Sequence, residues 1–239
     1  MNMPNPTLAV VIPVYNEEGI LGRVLQEWLD ELRRLKINFR IHAFNDGSKD
    51  NTLRVINEYA AANPEIIVHN KTNTGHGNTV LSAYRENCDI EWIFQIDADD
   101  EIGPGFFREL WEKRTDYDFL ICCRVNRKIP LNRKFVTYIS KLTVGIFYGS
   151  GVADLNCPYR LMRSEKFKEI FRLIPDDTFA PNVIISGMAV LRGYRIFELP
   201  VSENPIIMRR SSLRKLRLFK AAFRSFLQTI KFRFKTPSS

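Results

Sequence analysis

Long apolar runs are missing from this sequence of 239 residues. No uncharged apolar stretch reaches the roughly 18 residues that a transmembrane helix needs, and the run at residues 142–153 is one example that stops short. The opening residues, MNMPNPT, also lack the basic segment with which a signal peptide begins. We therefore expect a chain that does not cross a membrane.

Cysteine and histidine are scarce, with four and three residues respectively. The cysteines have no CxxC or zinc-type spacing, which excludes the usual zinc modules and favours reduced, buried thiols in an intracellular protein. Two common nucleotide-binding loops, GxxxxGK(S/T) and GxGxxG, are absent as well. A nucleotide site in this chain would therefore have to be formed by other residues.

Acidic residues are missing from residues 204–239, which carry ten Lys or Arg. This segment supplies the formal net charge of +8, and the rest of the chain is close to neutral. Apolar residues recur in it at helical spacing, at Leu213, Leu216, Phe219, Phe223, Phe226, Leu227, Ile230 and Phe234. Such a basic amphipathic helix is typical of segments that dock on an anionic membrane. Packing on the body of the chain is the alternative; nucleic-acid binding is disfavoured because no nucleic-acid module accompanies the segment.

Short apolar runs rich in Val and Ile alternate with stretches of helical period. The pattern predicts strands at 8–13, 39–45, 66–69 and 92–96, and helices at 17–36, 48–62 and 77–87. This order is typical of an α/β fold with a Rossmann-like, mostly parallel sheet flanked by helices. We expect one domain over residues 1–203, followed by the basic amphipathic segment over 204–239.

Three polar loops follow predicted strands: VYNEEG, NDGSKD and DADDE. Open α/β sheets bind ligands outside the carboxyl ends of their strands, so these loops are expected to meet at one crevice. The last loop crowds four carboxylates together, at Asp97, Asp99, Asp100 and Glu101. Like charges so close repel one another unless a cation or a proton intervenes, and hard oxygen ligands suit Mg²⁺ or Mn²⁺. The alternative is an acidic start to the helix in GPGFFRELWEKR, with Asp100 as a cap.

Five segments in series carry a resemblance to a known family: VVIPVYNEEG, FNDGSKDNT, NTGHGNTVLSAY, FQIDADDE and DLNCPYRLMR. Together they resemble glycosyltransferase family 2, and within it the dolichyl-phosphate mannose synthase-like subgroup that uses polyprenyl phosphates. The resemblance runs from about residue 8 to residue 214. It implies the GT-A fold and an inverting transfer from a nucleoside diphosphate sugar.

The resemblance implies a nucleotide-sugar site at the matching positions, which are Pro13, Tyr15, Asn16, Glu17, Asp46, Gly75 and Asp97. It also implies that Asp97 and Asp99 are the catalytic D-x-D pair that holds Mg²⁺ or Mn²⁺ against the diphosphate. Glu101 is a third candidate metal ligand, at a position where the subgroup frequently has Gln.

The same resemblance implies that arginines hold the phosphate of a polyprenyl phosphate, at Arg124, Arg127, Arg133, Arg160 and Arg209. Arg124 and Arg133 are the best positional matches and are the ones expected to take part in catalysis. Arginine suits the task because its planar fork binds phosphate through two parallel hydrogen bonds. A solvated basic loop over residues 124–134 is the alternative. The implied location is cytoplasmic, peripheral at the inner face of the membrane.

A candidate general base is hard to find. A phosphate monoester is largely a dianion at neutral pH and needs no base, whereas a hydroxyl acceptor does. Residues 103–202 lack the Glu-Asp pair that many hydroxyl-directed members of the family carry, which leaves Asp154, Asp176 and Asp177. The sequence therefore favours a phosphate acceptor. A hydroxyl acceptor in cell-surface glycan synthesis and a non-catalytic nucleotide- or membrane-binding protein are the alternatives.

Overall fold

One sheet of seven strands organises the computed structural model, which describes residues 5–125, 131–202 and 215–235 but not the side chains of 131–137 and 215–222. The strands are β1 (Leu8–Val14), β2 (Phe39–Asp46), β3 (Ile66–Lys71), β4 (Trp92–Gln95), β5 (Phe119–Val125), β6 (Arg160–Arg163) and β7 (Ile196–Ser202). The helices are α1 (Leu21–Arg34), α2 (Thr52–Ala62), α3 (His76–Glu86), α4 (Phe107–Lys113), α5 (Leu131–Phe147), α6 (Ser164–Leu173), α7 (Pro181–Leu191) and α8 (Lys215–Lys235). A single 3₁₀ turn, Pro104–Phe106, precedes α4.

The strand order is β3-β2-β1-β4-β6-β5-β7. Among these strands β6 alone runs against its neighbours, pairing antiparallel with both β4 and β5. Every residue of β1 is buried, because the strand is central and helices cover the sheet. The predicted α/β fold with a mostly parallel sheet is confirmed, and the carboxyl ends of β2, β1 and β4 lie side by side.

The four predicted strands and three predicted helices are all present, but two helices begin later than predicted. Helix α1 begins at Leu21 rather than at residue 17, and the backbone N–H of Glu17 donates to Thr52 Oγ1 at 2.8 Å. Helix α2 begins at Thr52 rather than at residue 48. At its start, the Asp50 carboxylate accepts a hydrogen bond from the Thr52 N–H at 3.0 Å. The residues before both helices also join the two loops, as in the bond from the Asn51 N–H to Glu18 Oε2 at 2.8 Å.

The predicted amphipathic helix is confirmed over the part that the structure describes, α8, and it packs on the body of the protein. Tyr148 Oη donates to the Thr229 carbonyl at 2.6 Å, and Arg233 Nε donates to the Phe147 carbonyl at 2.9 Å. The boundary predicted at residues 203 and 204 lies outside the described residues. No helix in the described ranges is both long enough and apolar enough to cross a bilayer.

The loop between α6 and α7 joins α8 to the start of α3. On the α8 side, Gln228 accepts the backbone N–H of Phe179 at 2.9 Å and donates to the Asp177 carbonyl at 2.9 Å. On the α3 side, a Cβ atom at Gly77 would lie 2.6 Å from the Thr178 carbonyl oxygen and 2.5 Å from that of Phe179. Only glycine permits so close an approach, so this loop is wedged between the two helices.

Candidate active site

Hydrogen bonds tie the loops after β1 and β2 together. The Asn16 N–H donates to Ser48 Oγ at 3.0 Å, and Asn16 Oδ1 accepts from the Lys49 N–H at 2.8 Å. Asn16 has a φ of 57°, a left-handed conformation that asparagine tolerates better than most residues. Tyr15 is exposed on this loop, whereas Pro13 is buried in β1 opposite Phe44. Of the predicted nucleotide-binding residues here, Pro13 thus lies behind the loop and not on its surface.

Asp46 ends β2 as a buried carboxylate with three donors. Lys71 Nζ and the Thr74 N–H reach Oδ1 at 2.5 and 2.9 Å, and the Gly75 N–H reaches Oδ2 at 3.0 Å. Burial alone would raise the pKa of Asp46, but the hydrogen bonds from Lys71 and Thr74 lower it below its ordinary value. The carboxylate therefore fixes the loop that carries Gly75, a role that the sequence pattern did not reveal.

An Asp46→Asn substitution should lower the free energy of unfolding by about 2 kcal/mol at pH 7, because it removes a charged acceptor from these donors. The folded-state pKa of Asp46 is depressed, so its contribution is complete above the unfolded pKa of about 4 and is lost as the pH falls through the folded-state value. Urea unfolding of both proteins from about pH 3 to about pH 7, a range that includes the ordinary carboxyl pKa, would check this. Asp30→Asn, on the exposed face of α1, is the matched control. A difference independent of pH would contradict the assignment.

Three acidic side chains line one small pocket beyond the end of β4: Asp97, Asp99 and Glu101. Pro158 and Tyr159, which directly precede β6, also line the pocket. The predicted crowding of carboxylates at a strand end is thus confirmed. The alternative of a capped helix start is wrong, since the 3₁₀ turn and α4 follow without a side-chain cap from this cluster.

A buried polar network beneath the pocket orients Asp97. Gln95 Nε2 donates to Asp97 Oδ1 at 3.1 Å, and Gln95 Oε1 accepts from Asn182 Nδ2 at 2.9 Å and from the Tyr84 hydroxyl. Burial raises the pKa of the Tyr84 hydroxyl well above its ordinary value, so it remains a neutral donor. Sequence reasoning missed Gln95 and Asn182, since 87 positions separate them and no local pattern links them.

Arg124 lies beside the acidic pocket, between two carboxylates. Its Nη1 donates to Glu101 Oε2 at 2.8 Å, while Nε and Nη2 bind the two oxygens of Asp154 at 2.7 and 3.1 Å. The Arg124 side chain is only 6% exposed. Burial alone would lower the pKa of this guanidinium, but Asp154 and Glu101 raise it above its ordinary value. The arginine therefore stays charged at the pocket's edge.

The donor set at the pocket fits a divalent cation through two of its carboxylates. Asp97 and Asp99 are hard oxygen ligands, and Mg²⁺ typically takes one or two protein carboxylates and completes its shell with phosphates and water. Within the described ranges, no group of three or more His, Cys, Asp or Glu is arranged to share one ion. The predicted third ligand, Glu101, is ion-paired with Arg124, and its part in metal binding stays a prediction.

The structure corrects one predicted phosphate-binding arginine. Arg160 is fully buried, and its guanidinium donates to the carbonyls of Cys157 and Leu155 at 2.7 and 3.0 Å. A buried guanidinium directed at backbone carbonyls is a structural brace and cannot reach an acceptor. Arg127 and Arg209 lie outside the described residues. Arg133 belongs to α5, but its side chain also lies outside them.

Comparison with known proteins identifies the family. Residues 9–171 match the family model of glycosyl transferase family 2. Dolichyl-phosphate beta-glucosyltransferase ALG5A of Trichomonas vaginalis is 31% identical over 216 residues, which are 83% of this chain and 66% of that protein. Undecaprenyl-phosphate 4-deoxy-4-formamido-L-arabinose transferase of Pseudomonas fluorescens is 26% identical over 188 residues, 78% of this chain and 55% of that protein. The chain thus spans between 55% and 66% of the length of these relatives.

A solved structure supports the fold. Glucosyl-3-phosphoglycerate synthase from Mycobacterium tuberculosis, in complex with Mn²⁺, uridine diphosphate and glucosyl-3-phosphoglycerate, superposes with a TM-score of 0.64 at 16% identity. The match covers 97% of this chain and 81% of that one. Since the family model also matches more than half of the sequence, the chain belongs to glycosyl transferase family 2, and it has the GT-A fold.

Proposed function

We propose that this chain is a glycosyltransferase that moves a sugar from a nucleoside diphosphate sugar to a polyprenyl phosphate, with inversion and with the help of Mg²⁺ or Mn²⁺. The observation that carries the proposal is the 2.8 Å contact between Glu101 and Arg124. It brings an anion-binding guanidinium next to the carboxylates that suit a cation. Relatives named for transfer to dolichyl and undecaprenyl phosphates support the choice of acceptor.

On the donor side, Asp97 and Asp99 would hold the cation. When bound, it would offset the charge that develops on the departing diphosphate. Tyr15, Asn16 and Glu17 lie on the loop after β1, and the loop that carries Gly75 is fixed by Asp46. These residues would position the nucleotide, and the hydrogen bonds that already join the loops reduce the entropy lost on binding.

On the acceptor side, Arg124 would bind the phosphate through guanidinium N–H groups other than the three that donate to Asp154 and Glu101. A phosphate monoester is mostly doubly ionised at neutral pH, so no side chain has to remove a proton from it. Both oxygens of Asp154 accept hydrogen bonds from Arg124, and this favours the phosphate over a hydroxyl acceptor that would need Asp154 as a base. Arg127, Arg133 and Arg209 remain proposed contacts for the same phosphate.

Helices α5 and α8 pack on each other, and each exposes apolar residues suited to contact with a membrane. Tyr138, Leu142 and Ile146 follow one another at intervals of four on α5 and are 63%, 46% and 66% exposed. On α8, Phe223, Leu227 and Phe234 are 63%, 49% and 74% exposed. Exposed basic residues flank them, at Lys141, Arg224, Lys231 and Lys235. This surface would dock on the anionic cytoplasmic leaflet as a peripheral contact, with each engaged Lys or Arg contributing about 1 kcal/mol.

A Leu227→Ser substitution should weaken binding to anionic vesicles by about tenfold, because burial of a leucine side chain in the bilayer contributes on the order of 1.5 kcal/mol. Sedimentation with vesicles of phosphatidylserine and phosphatidylcholine measures the partition. Leu173→Ser on α6 is the matched control, since Leu173 is 46% exposed and Leu227 is 49% exposed. Equal losses for the two variants would overturn the docking surface.

Transfer from a panel of radiolabelled nucleotide sugars tests the function itself. The protein is incubated with Mg²⁺ or Mn²⁺, with and without polyprenyl phosphate in anionic vesicles, and the label that enters the organic phase is counted. Lipid-borne label that a chelator abolishes would establish the reaction, the acceptor and the metal together. Metal-dependent release of sugar to water without lipid label would keep the transferase and redirect the search to hydroxyl acceptors. Lipid label that persists in excess chelator would overturn the metal requirement alone.

A further inference from the structure

One carboxylate of the acidic cluster does not line the pocket. Asp97, Asp99 and Glu101 line it, whereas Asp100 is buried at 4% exposure. Its backbone has a φ of 57°, in the left-handed region. Because β4 ends at Gln95 and the chain turns at residues 98 and 99, the alternation of an extended strand does not place these side chains. The left-handed conformation of Asp100 therefore helps to set the directions in which the side chains of Asp99 and Glu101 point.

The Asp100 carboxylate is held by α1. Arg23 Nη1 lies 2.7 Å from Asp100 Oδ2, and the same nitrogen lies 3.0 Å from Glu27 Oε1. The Asp100 side chain is 3% exposed and that of Arg23 is 50% exposed. A buried carboxylate needs a paired charge, and here the pairing charge comes from the protein and not from a cation. Asp100 is thus anchored to a helix while its neighbours remain directed at the pocket.

We infer that Asp100 is a positioning residue, which fixes Asp99 and Glu101 at the pocket through its left-handed turn and its ion pair with Arg23. The inference rests on the proposed function, since Asp99 is one of the two carboxylates that would hold the cation and Glu101 pairs with Arg124 beside it. The Glu101 N–H donates to Asp99 Oδ1 at 3.2 Å, in keeping with a tight turn centred on Asp100. Asp100 itself would contact neither the cation nor the substrate.

Aspartate meets both demands of this position. Asp and Asn enter the left-handed region more readily than other side chains, and glycine enters it freely. Asn keeps the turn and a hydrogen-bond acceptor but loses the charge; Gly keeps the turn but loses the anchor; Ala loses the anchor and strains the turn. The three substitutions therefore separate the backbone contribution from the ion pair.

The test measures Mn²⁺ affinity by electron paramagnetic resonance of free Mn²⁺, in the wild-type chain and in Asp100→Asn, Asp100→Gly, Asp100→Ala and Arg23→Gln. We expect Asp100→Ala to bind Mn²⁺ about tenfold more weakly, since left-handed strain of 1–2 kcal/mol is of that order. Asp100→Asn and Arg23→Gln should show smaller losses, of about threefold, because the turn remains. Glu27→Gln is the matched control: it removes the other partner of Arg23 and should bind as wild type does.

A second readout separates positioning from general loss of structure. The Michaelis constant for Mn²⁺ should rise in Asp100→Ala while saturating Mn²⁺ restores kcat, an outcome that unfolding would not produce. Arg23→Gln keeps the loop sequence unchanged, so it remains informative even where Asp100→Ala folds poorly. Wild-type Mn²⁺ affinity in Asp100→Ala and Arg23→Gln, with transfer intact, would overturn the inference and leave the proposed function standing. Failure of the wild-type chain to bind Mn²⁺ would overturn both.

Discussion

An Asp99→Asn protein is expected to lose about three orders of magnitude in kcat/KM for sugar transfer, the upper range for removing one preorganised electrostatic group. Asp99 lines the pocket and lies outside the core, so the free energy of unfolding should change little. The isosteric amide keeps the size of the side chain but removes the charge that attracts a cation. Steady-state rates over a range of Mn²⁺ concentrations, beside a urea unfolding curve, check both statements.

The control for this prediction is Asp116→Asn, on the exposed segment that follows α4. It makes the same chemical change away from the pocket and should keep the wild-type rate. An Asp99→Asn protein with full activity would remove the metal-dependent mechanism, whatever the acceptor proved to be. A protein inactive only at low Mn²⁺ would identify Asp99 as a ligand whose loss excess metal can offset.

Replacing Arg124 by Gln is expected to lower the free energy of unfolding by about 3–5 kcal/mol at pH 7, the range measured when one partner of a buried ion pair is removed. The substitution leaves the carboxylates of Glu101 and Asp154 facing each other without their shared cation. Transfer should fall as well, because the proposed phosphate contact is lost. Chemical unfolding of both proteins at pH 7 measures the effect on stability, and transfer assays on the same samples measure the effect on activity.

Two companion variants make the Arg124 prediction specific. A double variant, Arg124→Gln with Asp154→Asn, should regain much of the lost stability, since it removes one of the two unpaired charges. Arg108→Gln breaks the exposed pair with Glu112 and should cost less than about 1 kcal/mol. If Arg124→Gln destabilised the protein no more than Arg108→Gln does, the bridge between the two carboxylates would be without energetic importance.

The ion pair between Glu101 and Arg124 shows the limit of what the sequence could predict about this site. An ion pair between Glu101 and Arg124 was not predicted, because the two residues are 23 positions apart and each pattern suggested a different ligand for its residue. The sequence showed that acidic and basic groups would lie near one crevice. It could not show that they neutralise one another, since that depends on how β5 aligns with the loop after β4.

The regular elements were more predictable than the site. Apolar runs and helical spacing located β1 to β4 and α1 to α3, because burial in a parallel sheet imposes those patterns directly. The motif around Arg160 gave no sign that its guanidinium would be buried, since an arginine in a short strand is compatible with either face. Asp46 and Asp100 were likewise visible as carboxylates, but their donors come from other loops and from α1.

The loop between α6 and α7, which packs between α8 and α3, has a practical consequence for the design of shortened versions of this protein. A chain cut before α8, made to remove its sticky apolar residues, would also take away Gln228, which holds the backbone at Phe179 and Asp177. That backbone lies against Gly77, two positions beyond the Gly75 that Asp46 fixes. Any gain in solubility from such a truncation would therefore come with weaker packing of the loop that carries Gly75. Kinetic constants measured on the shortened chain would then differ from those of the full chain.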